Sequence, residues 1–283
     1  LKGEKDVLDT WFSSSLWPIS VFGWPKKTAD LAYFYPTTVR ETGYDILFFW
    51  VAREMMMCQE LTGQAPFEII YLHGLVRDEK GRKFSKTKKI GFDPLEMVEQ
   101  YGADALRMAL VYGTSAGRDL LISPDKVISM RNFTNKIWNA ARFILMNREI
   151  QNSIRQPADE IQDKLQILNL KKQNKDDQRI LASLDKTIKN VTQDMENYRF
   201  GQAAEKLYAF FWHEFCDIYL EQAKKRLYNE SDLKGQEEAL VVLTFVLKES
   251  LKLLHPFMPY VTEEIWTNQL KEDVPLVVSP WPK

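Results

Sequence analysis

His73-Gly74-Leu75-Val76-Arg77-Asp78-Glu79-Lys80-Gly81-Arg82 runs directly into Lys83-Phe84-Ser85-Lys86-Thr87, and the fold turns on how this stretch is read. Upstream, Phe67 to Leu72 is a short apolar run rich in β-favouring residues, which predicts a buried strand ending at His73-Gly74. Asp78–Gly81 has turn composition. Five basic residues then fall within eight positions (Arg82, Lys83, Lys86, Lys88, Lys89), beside the hydroxyls of Ser85 and Thr87. A strand delivering a basic, hydroxyl-bearing loop is suited to holding a polyphosphate. The GxxxxGK[ST] spacing of a P-loop is absent. On local grounds alone, a solvated charged turn is the commoner reading of such a loop.

Downstream, Asp93-Pro94 reads as an N-cap followed by Pro at the first helical position, opening a helix through Met97. After Gly102 it resumes as Ala105 to Val111. On the other side, residues 1–66 mix loops with helix, and Thr42-Gly43-Tyr44-Asp45 opens an apolar run to Leu61. Asp45 sits near that helix start, where it is equally an N-cap. From about residue 126 the pattern changes to long amphipathic helices. Met130, Phe133, Ile137, Ala141 and Ile144 make one stripe, while Arg131, Asn132, Asn135, Lys136, Asn139 and Arg142 lie opposite. Residues 149–177 are a polar connection. Further stripes follow at Ile180 to Met195 and Leu240 to Leu254, with an aromatic helix between them from Gly201 to Tyr228. The last of these helices stops at His255-Pro256, and Pro259-Tyr260 starts a short final helix through Trp266. The fold class expected is α/β plus all-α: an α/β part over 1–122 and an antiparallel helix bundle over 123–283.

Composition sets the bounds. The chain has 283 residues, is 45% hydrophobic and 27% charged, and carries a formal net charge of -1, so nucleic acid has to be met by local basic patches. Cys58 and Cys216 stand alone and the three histidines are scattered, which argues against a disulfide framework and against a protein-bound metal. The longest apolar run, Ile46 to Ala52, is far too short to span a bilayer. A cytoplasmic location and a monomer are the expectations. The chain begins at Leu1 and reads as a piece of a longer protein.

Five segments, in order, carry a family resemblance. Gly81-Arg82-Lys83-Phe84-Ser85-Lys86-Thr87, with Asp93-Pro94-Leu95 and Tyr101-Gly102-Ala103-Asp104-Ala105-Leu106-Arg107 after it, resembles the KMSKS signature of class I aminoacyl-tRNA synthetases. Asp6-Val7-Leu8-Asp9-Thr10-Trp11-Phe12-Ser13-Ser14 is similar to their segment near the amino-acid pocket. Thr42 to Arg53 resembles the valyl branch, where an isoleucyl enzyme would show an acidic-Gly-Ser-Asp-Gln type of segment. Arg131-Asn132-Phe133 with Asn135 to Asn139 is similar to the first anticodon-domain helix. His255-Pro256-Phe257-Met258-Pro259 with Thr262 to Trp266 resembles a late helical motif. Phe84 for Met, Thr87 for Ser, and Lys88 to Phe92 depart from the family pattern.

The resemblance implies the second half of a Rossmann-like catalytic domain, with its signature loop at 82–93, joined to an anticodon-binding bundle. It implies ATP as substrate with Mg²⁺ on its phosphates, valine and tRNA(Val) as the other substrates, and the rest of the same synthetase as partner. Lys86 would neutralise phosphate charge, Lys83 and Ser85 would add contacts, and Thr87 would supply a hydroxyl. Asp45 is the candidate for the ribose hydroxyls, with Gly43 beside it. His73 and Gly74 would meet adenine, and Trp11 and Ile46 would wall an aliphatic pocket. Arg131, Asn132, Asn135, Lys136 and Asn139 would face tRNA. Without the resemblance each of these has a plain structural reading: His73 as a structural histidine, Trp11 and Ile46 as core, and the Arg131–Asn139 face as solvated helix. A His-Ile-Gly-His-type signature and an editing segment do not occur here, so the isolated chain is expected to be inactive. A non-catalytic tRNA-binding module, or an isoleucyl or leucyl enzyme, are the alternatives.

Overall fold

The computed structural model describes residue 3 and residues 5–84, 91–152 and 174–283. They form two compact units: Leu1–Val76 with Ser115–Leu120, and Arg77–Thr114 with Leu121–Lys283.

In the first unit, Asp9 caps α1 (Thr10–Ser15) by accepting the Trp11 N–H at 2.8 Å, and α2 (Trp17–Ser20) and α3 (Ala29–Phe34) follow. Strand β1 (Thr37–Gly43) pairs in parallel with β2 (Phe67–His73), in a register running from Thr37 opposite Phe67 to Gly43 opposite His73. Parallel strands need a long crossover. Here it consists of a 3₁₀ turn (Tyr44–Ile46), a π-helical stretch (Leu47–Val51) and α4 (Ala52–Thr62), which ends on Gly63 in the left-handed region (φ 74°). The predicted strand is therefore present, but it is not buried: none of its residues is fully covered, and Ile69 is 37% exposed. An apolar run reads the same whether or not a layer covers it, and among the described residues β2 has only β1 as a ladder neighbour.

An ion pair ties the crossover helix to the sheet. Arg40 of β1 reaches Glu54 of α4 through Nε–H (2.9 Å) and a terminal N–H (3.2 Å), and the Glu54 side chain is wholly buried. The guanidinium lies 3.9 Å from the centroid of the Trp50 ring, a cation–π contact in a largely dry site. Burial pushes the Glu54 carboxyl up from its ordinary range, and the hydrogen bonds and charge of Arg40 offset only part of that rise.

The second unit carries α5 (Pro94–Tyr101) and α6 (Ala103–Val111), then α7 (Pro124–Asn152), α8 (Lys175–Glu196) and α9 (Phe200–Ala209). The chain continues as a π-helical stretch (Phe210–Leu220), α10 (Glu221–Leu227), α11 (Leu233–Leu254) and α12 (Pro259–Glu264). The expected cap is in place, with Asp93 accepting the Leu95 N–H at 2.9 Å and Pro94 opening α5. Gly102, at φ 89°, separates α5 from α6. Each predicted stripe faces inward: Phe133, Ile137 and Ile144 of α7, Leu184 of α8 and Leu247 of α11 are fully covered. At the start of α9, Gly201 lets the backbone of Thr114 pass so closely that a Cβ there would lie 2.1 Å from the Thr114 carbonyl oxygen. Asp177, fully buried, accepts the Tyr219 hydroxyl at 2.7 Å and an Arg226 N–H at 2.8 Å, joining α8 to the π-helical stretch and α10.

Removing one partner of a buried pair strands the other charge, so Glu54→Ala should cost about 3–5 kcal/mol. A urea titration followed by tryptophan fluorescence would measure it, and an unchanged midpoint would contradict this account of the Arg40–Glu54 pair.

Candidate functional site

The parallel register brings the carboxyl ends of β1 and β2 side by side, the edge at which α/β sheets present ligand sites. Gly43 and His73 are register partners there. A Cβ on Gly43 would fall 2.7 Å from the Asp45 Oδ1 and 3.4 Å from the His73 Cε1, so the carboxylate and the imidazole both close on this glycine. Gly43, Asp45 and His73 are thus brought together. The helix cap, however, is Gly43 and not Asp45, which lies inside the 3₁₀ turn. The N-cap reading of Asp45 is corrected accordingly: the short 3₁₀ turn begins two residues earlier than the apolar pattern indicates. His73 donates from Nδ1 to the Gly74 carbonyl at 2.8 Å, and its Nε2 lies 3.2 Å from Glu41 Oε1.

Gly74 is held for packing. A Cβ there would sit 1.7 Å from the Arg118 carbonyl oxygen, because residues 117–120 cross over it. That crossing is bonded at Gly117 N–H to Leu72 O (2.8 Å), Leu75 N–H to Asp119 Oδ1 (2.8 Å) and Leu120 N–H to Leu75 O (2.9 Å).

A mostly apolar cavity of about 300 Å³ opens beside Trp11 and is lined also by Phe12, Arg53, Met56 and Met57. The Arg53 guanidinium lies 5.8 Å from the Trp11 ring centroid and 5.6 Å from that of Phe49. Ile46 lies outside this cavity, in the 3₁₀ turn. Arg53 was missed as a site residue because an arginine at the head of a helix carries no pocket signal until the fold sets it over an aromatic face.

In the second unit, the base of the basic loop is built before the loop begins. Asp78 accepts the Lys80 and Arg82 N–H groups (3.0 and 2.8 Å) and pairs with the Arg82 guanidinium, whose hydrogen bond holds the Asp78 carboxyl below the usual range. Lys83 bridges back to Arg77 in antiparallel fashion. Phe84 meets Phe92 edge-on with centroids 5.2 Å apart, and a Cβ on Gly91 (φ 101°) would strike the Phe84 ring at 2.6 Å. These departures from the family pattern therefore fit one another. Ser85, Lys86 and Thr87 lie outside the described residues.

On α7, Asn132, Asn135 and Asn139 are exposed and share the face expected to meet RNA. Arg131 and Lys136 are engaged already. Arg131 stacks on Tyr101 (5.7 Å) and donates to Asn132 Oδ1 (3.3 Å), while its buried Nε–H has no hydrogen-bond partner among the described residues. Lys136 pairs with Asp217 Oδ1 at 2.8 Å and lies 5.2 Å from the Trp212 ring centroid. Phe133 is core, as its place on the stripe requires. Trp212 and Asp217 meet Lys136, with Tyr208 stacked on Trp212 and His213 beside Asp217, a grouping missed because i→i+5 bonding over Phe210–Leu220 breaks the 3.6-residue period on which sequence reading depends.

Two family descriptions match the chain: tRNA synthetases class I (I, L, M and V) over residues 1–123, and the anticodon-binding domain of tRNA ligase over residues 177–283. Homology runs along the whole chain, since the valine–tRNA ligase of Clostridium perfringens (strain 13 / Type A) is 46% identical over 282 residues. The chain is a homologue of one stretch of the valine–tRNA ligases. That relative is covered over 31% of its length and the Bacillus anthracis valine–tRNA ligase, also 46% identical, over 30%, so the chain spans about a third of the curated relatives it matches. Two solved structures show the same fold. The Agrobacterium radiobacter K84 LeuRS–tRNA–LeuAMS complex matches with TM-score 0.76 and 22% identity, over 99% of this chain and 33% of that one. The Mycobacterium tuberculosis methionyl-tRNA synthetase with methionyl-adenylate matches with TM-score 0.74 and 19% identity, over 96% and 54%. Arg131 to Asn139 fall between the two matched ranges.

The Lys136–Asp217 pair gives a direct test. The Lys136 hydrogen bond holds the Asp217 carboxyl below the ordinary range, so its contribution to stability is present above the unfolded pKa, about 3.9, and is lost as pH falls through the lower folded value. Lys136→Ala should move the Asp217 titration up towards that ordinary value in an NMR pH series; an unmoved titration would disprove the coupling.

Proposed function

We propose that this chain is the second half of the catalytic domain (1–122) and the anticodon-binding bundle (123–283) of a cytoplasmic valyl-tRNA synthetase. The whole enzyme would join valine to tRNA(Val) in two steps. The valine carboxylate attacks the α-phosphate of ATP, forming a new P–O bond as the bond to pyrophosphate breaks. The adenylate then passes its acyl group to the tRNA. The observation that carries this reading is 46% identity to valine–tRNA ligases along the entire chain, signature loop and bundle alike.

The residues fit the roles. Activation needs placement and charge neutralisation more than covalent help from the protein. We assign Gly43, Asp45, His73 and Gly74 to the ribose and adenine, the carboxylate taking the hydroxyl pair and the strand-end backbone the base. Gly74 acts through its peptide groups, since its Cα side is filled by Arg118. Lys83, Ser85, Lys86 and Thr87 take the phosphates, with Lys86 opposing the charge that builds on pyrophosphate. Trp11 and Ile46 are assigned to valine; Trp11 lines an apolar cavity of suitable character. Arg131, Asn132, Asn135, Lys136 and Asn139 are assigned to tRNA.

Mg²⁺ arrives with the ATP phosphates in this reading. Among the described residues no group of three or more His, Cys, Asp or Glu side chains is placed to hold a metal, and no helix is long and apolar enough to cross a membrane. The exposed apolar side chains of the first unit, including Phe48 at 77% and Met56 at 71%, suit contact with the remaining part of the same synthetase.

In the full-length enzyme, ATP–pyrophosphate exchange should depend on valine, and Lys86→Ala should lower kcat by about 10²–10³-fold with little change in valine affinity. Dependence on isoleucine or leucine would reassign the branch, and absence of any exchange would leave a tRNA-binding module. The 283 residues alone should show no exchange.

A further inference from the structure

Two side chains one helical turn apart on α6 grip the backbone of a distant turn. Asp104, 5% exposed, accepts the Tyr260 N–H at 3.2 Å and the Val261 N–H at 2.6 Å, the first amides of α12. Arg107 donates to the carbonyls of Pro256 (3.1 Å) and Phe257 (3.3 Å), in the turn between α11 and α12. Amides left open at a helix start, like carbonyls left open in a turn, require partners, and this single turn of α6 supplies both across about 150 residues of sequence. The far end of α6 is held as well, with the Lys126 ammonium of α7 donating to Tyr112 O at 2.8 Å. Behind α6, Tyr101 at the end of α5 lies under the Arg131 guanidinium. The segment that follows the basic loop is thus fastened to the bundle at its start, middle and end, and packs in the same compact unit.

We propose that Asp104 and Arg107 are positioning residues that fix the signature-bearing segment in register with the RNA-binding bundle, so that tRNA held on α7 is correctly placed for acyl transfer. This rests on the synthetase reading given above. Neither residue touches a reacting group in this proposal, and amino-acid activation does not need the register they set. Their loss should therefore separate the two half-reactions. A merely structural role would lower both together.

The test uses Asp104→Asn and Arg107→Gln in the full-length enzyme. Arg107 is solvent-exposed, so its variant preserves folding even where Asp104→Asn does not. Valine-dependent exchange should stay within about twofold of wild type, while kcat/KM for tRNA charging falls about tenfold or more. The penalty for changing an anticodon base should shrink in the same variants. Charging within about twofold of wild type, or exchange falling in parallel with charging, would overturn the proposal. A wild-type enzyme without valine-dependent exchange would instead refute the synthetase reading itself.

Discussion

The buried carboxylate of Asp104, bonded to two peptide N–H groups at the start of α12, is the contact on which the second unit depends. Burial favours the protonated acid and pushes this carboxyl up, while the two N–H bonds and the Arg107 charge oppose that shift. A carboxylate so placed is affordable only where backbone donors are fixed in front of it. Those donors are fixed because α11 ends at Leu254 and Pro259 restarts the helix. His255, between them, is bonded through Nδ1 to Thr262 Oγ1 at 2.8 Å. Helix breakers, open peptide groups and a charged pair therefore form one joint, and the bundle holds α5 and α6 through it.

The first unit rests on a different economy. Its sheet has two strands among the described residues, and its order comes from the Arg40–Glu54 pair and the aromatic rings around Arg40. Parallel pairing then places Gly43 and His73 level at one edge. Small residues mark this edge because other groups must come close: Asp45 and His73 over Gly43, and the 117–120 crossing over Gly74. The candidate ligand edge follows from backbone register, with the side chains added to it.

Much of this was legible beforehand. The Asp93-Pro94 cap, the break at Gly102 and the inward stripe of Phe133, Ile137 and Ile144 obey local rules of turn geometry and period, which act over a few residues. Other features were not. The exposure of β2, the place of Arg53 against Trp11, and the cluster of Trp212 and Asp217 around Lys136 depend on what a neighbouring element covers. Asp45 showed the limit at close range, since a 3₁₀ turn moved the cap two residues from where the apolar pattern put it.

By itself the sequence determined the strand at 67–73, the helices that follow it and the two kinds of architecture, because periodicity and caps are written along the chain; strand β1, in a stretch read as loops and helix, emerged only through its pairing with β2. Tertiary structure alone decided that Asp104 and Arg107 of one segment close on residues 256–261, and that Gly74 is spent on a chain crossing. Both outcomes pair side chains or backbone with peptide groups, and peptide groups are the same at every residue. No residue type marks them as partners until folding brings them within hydrogen-bond reach.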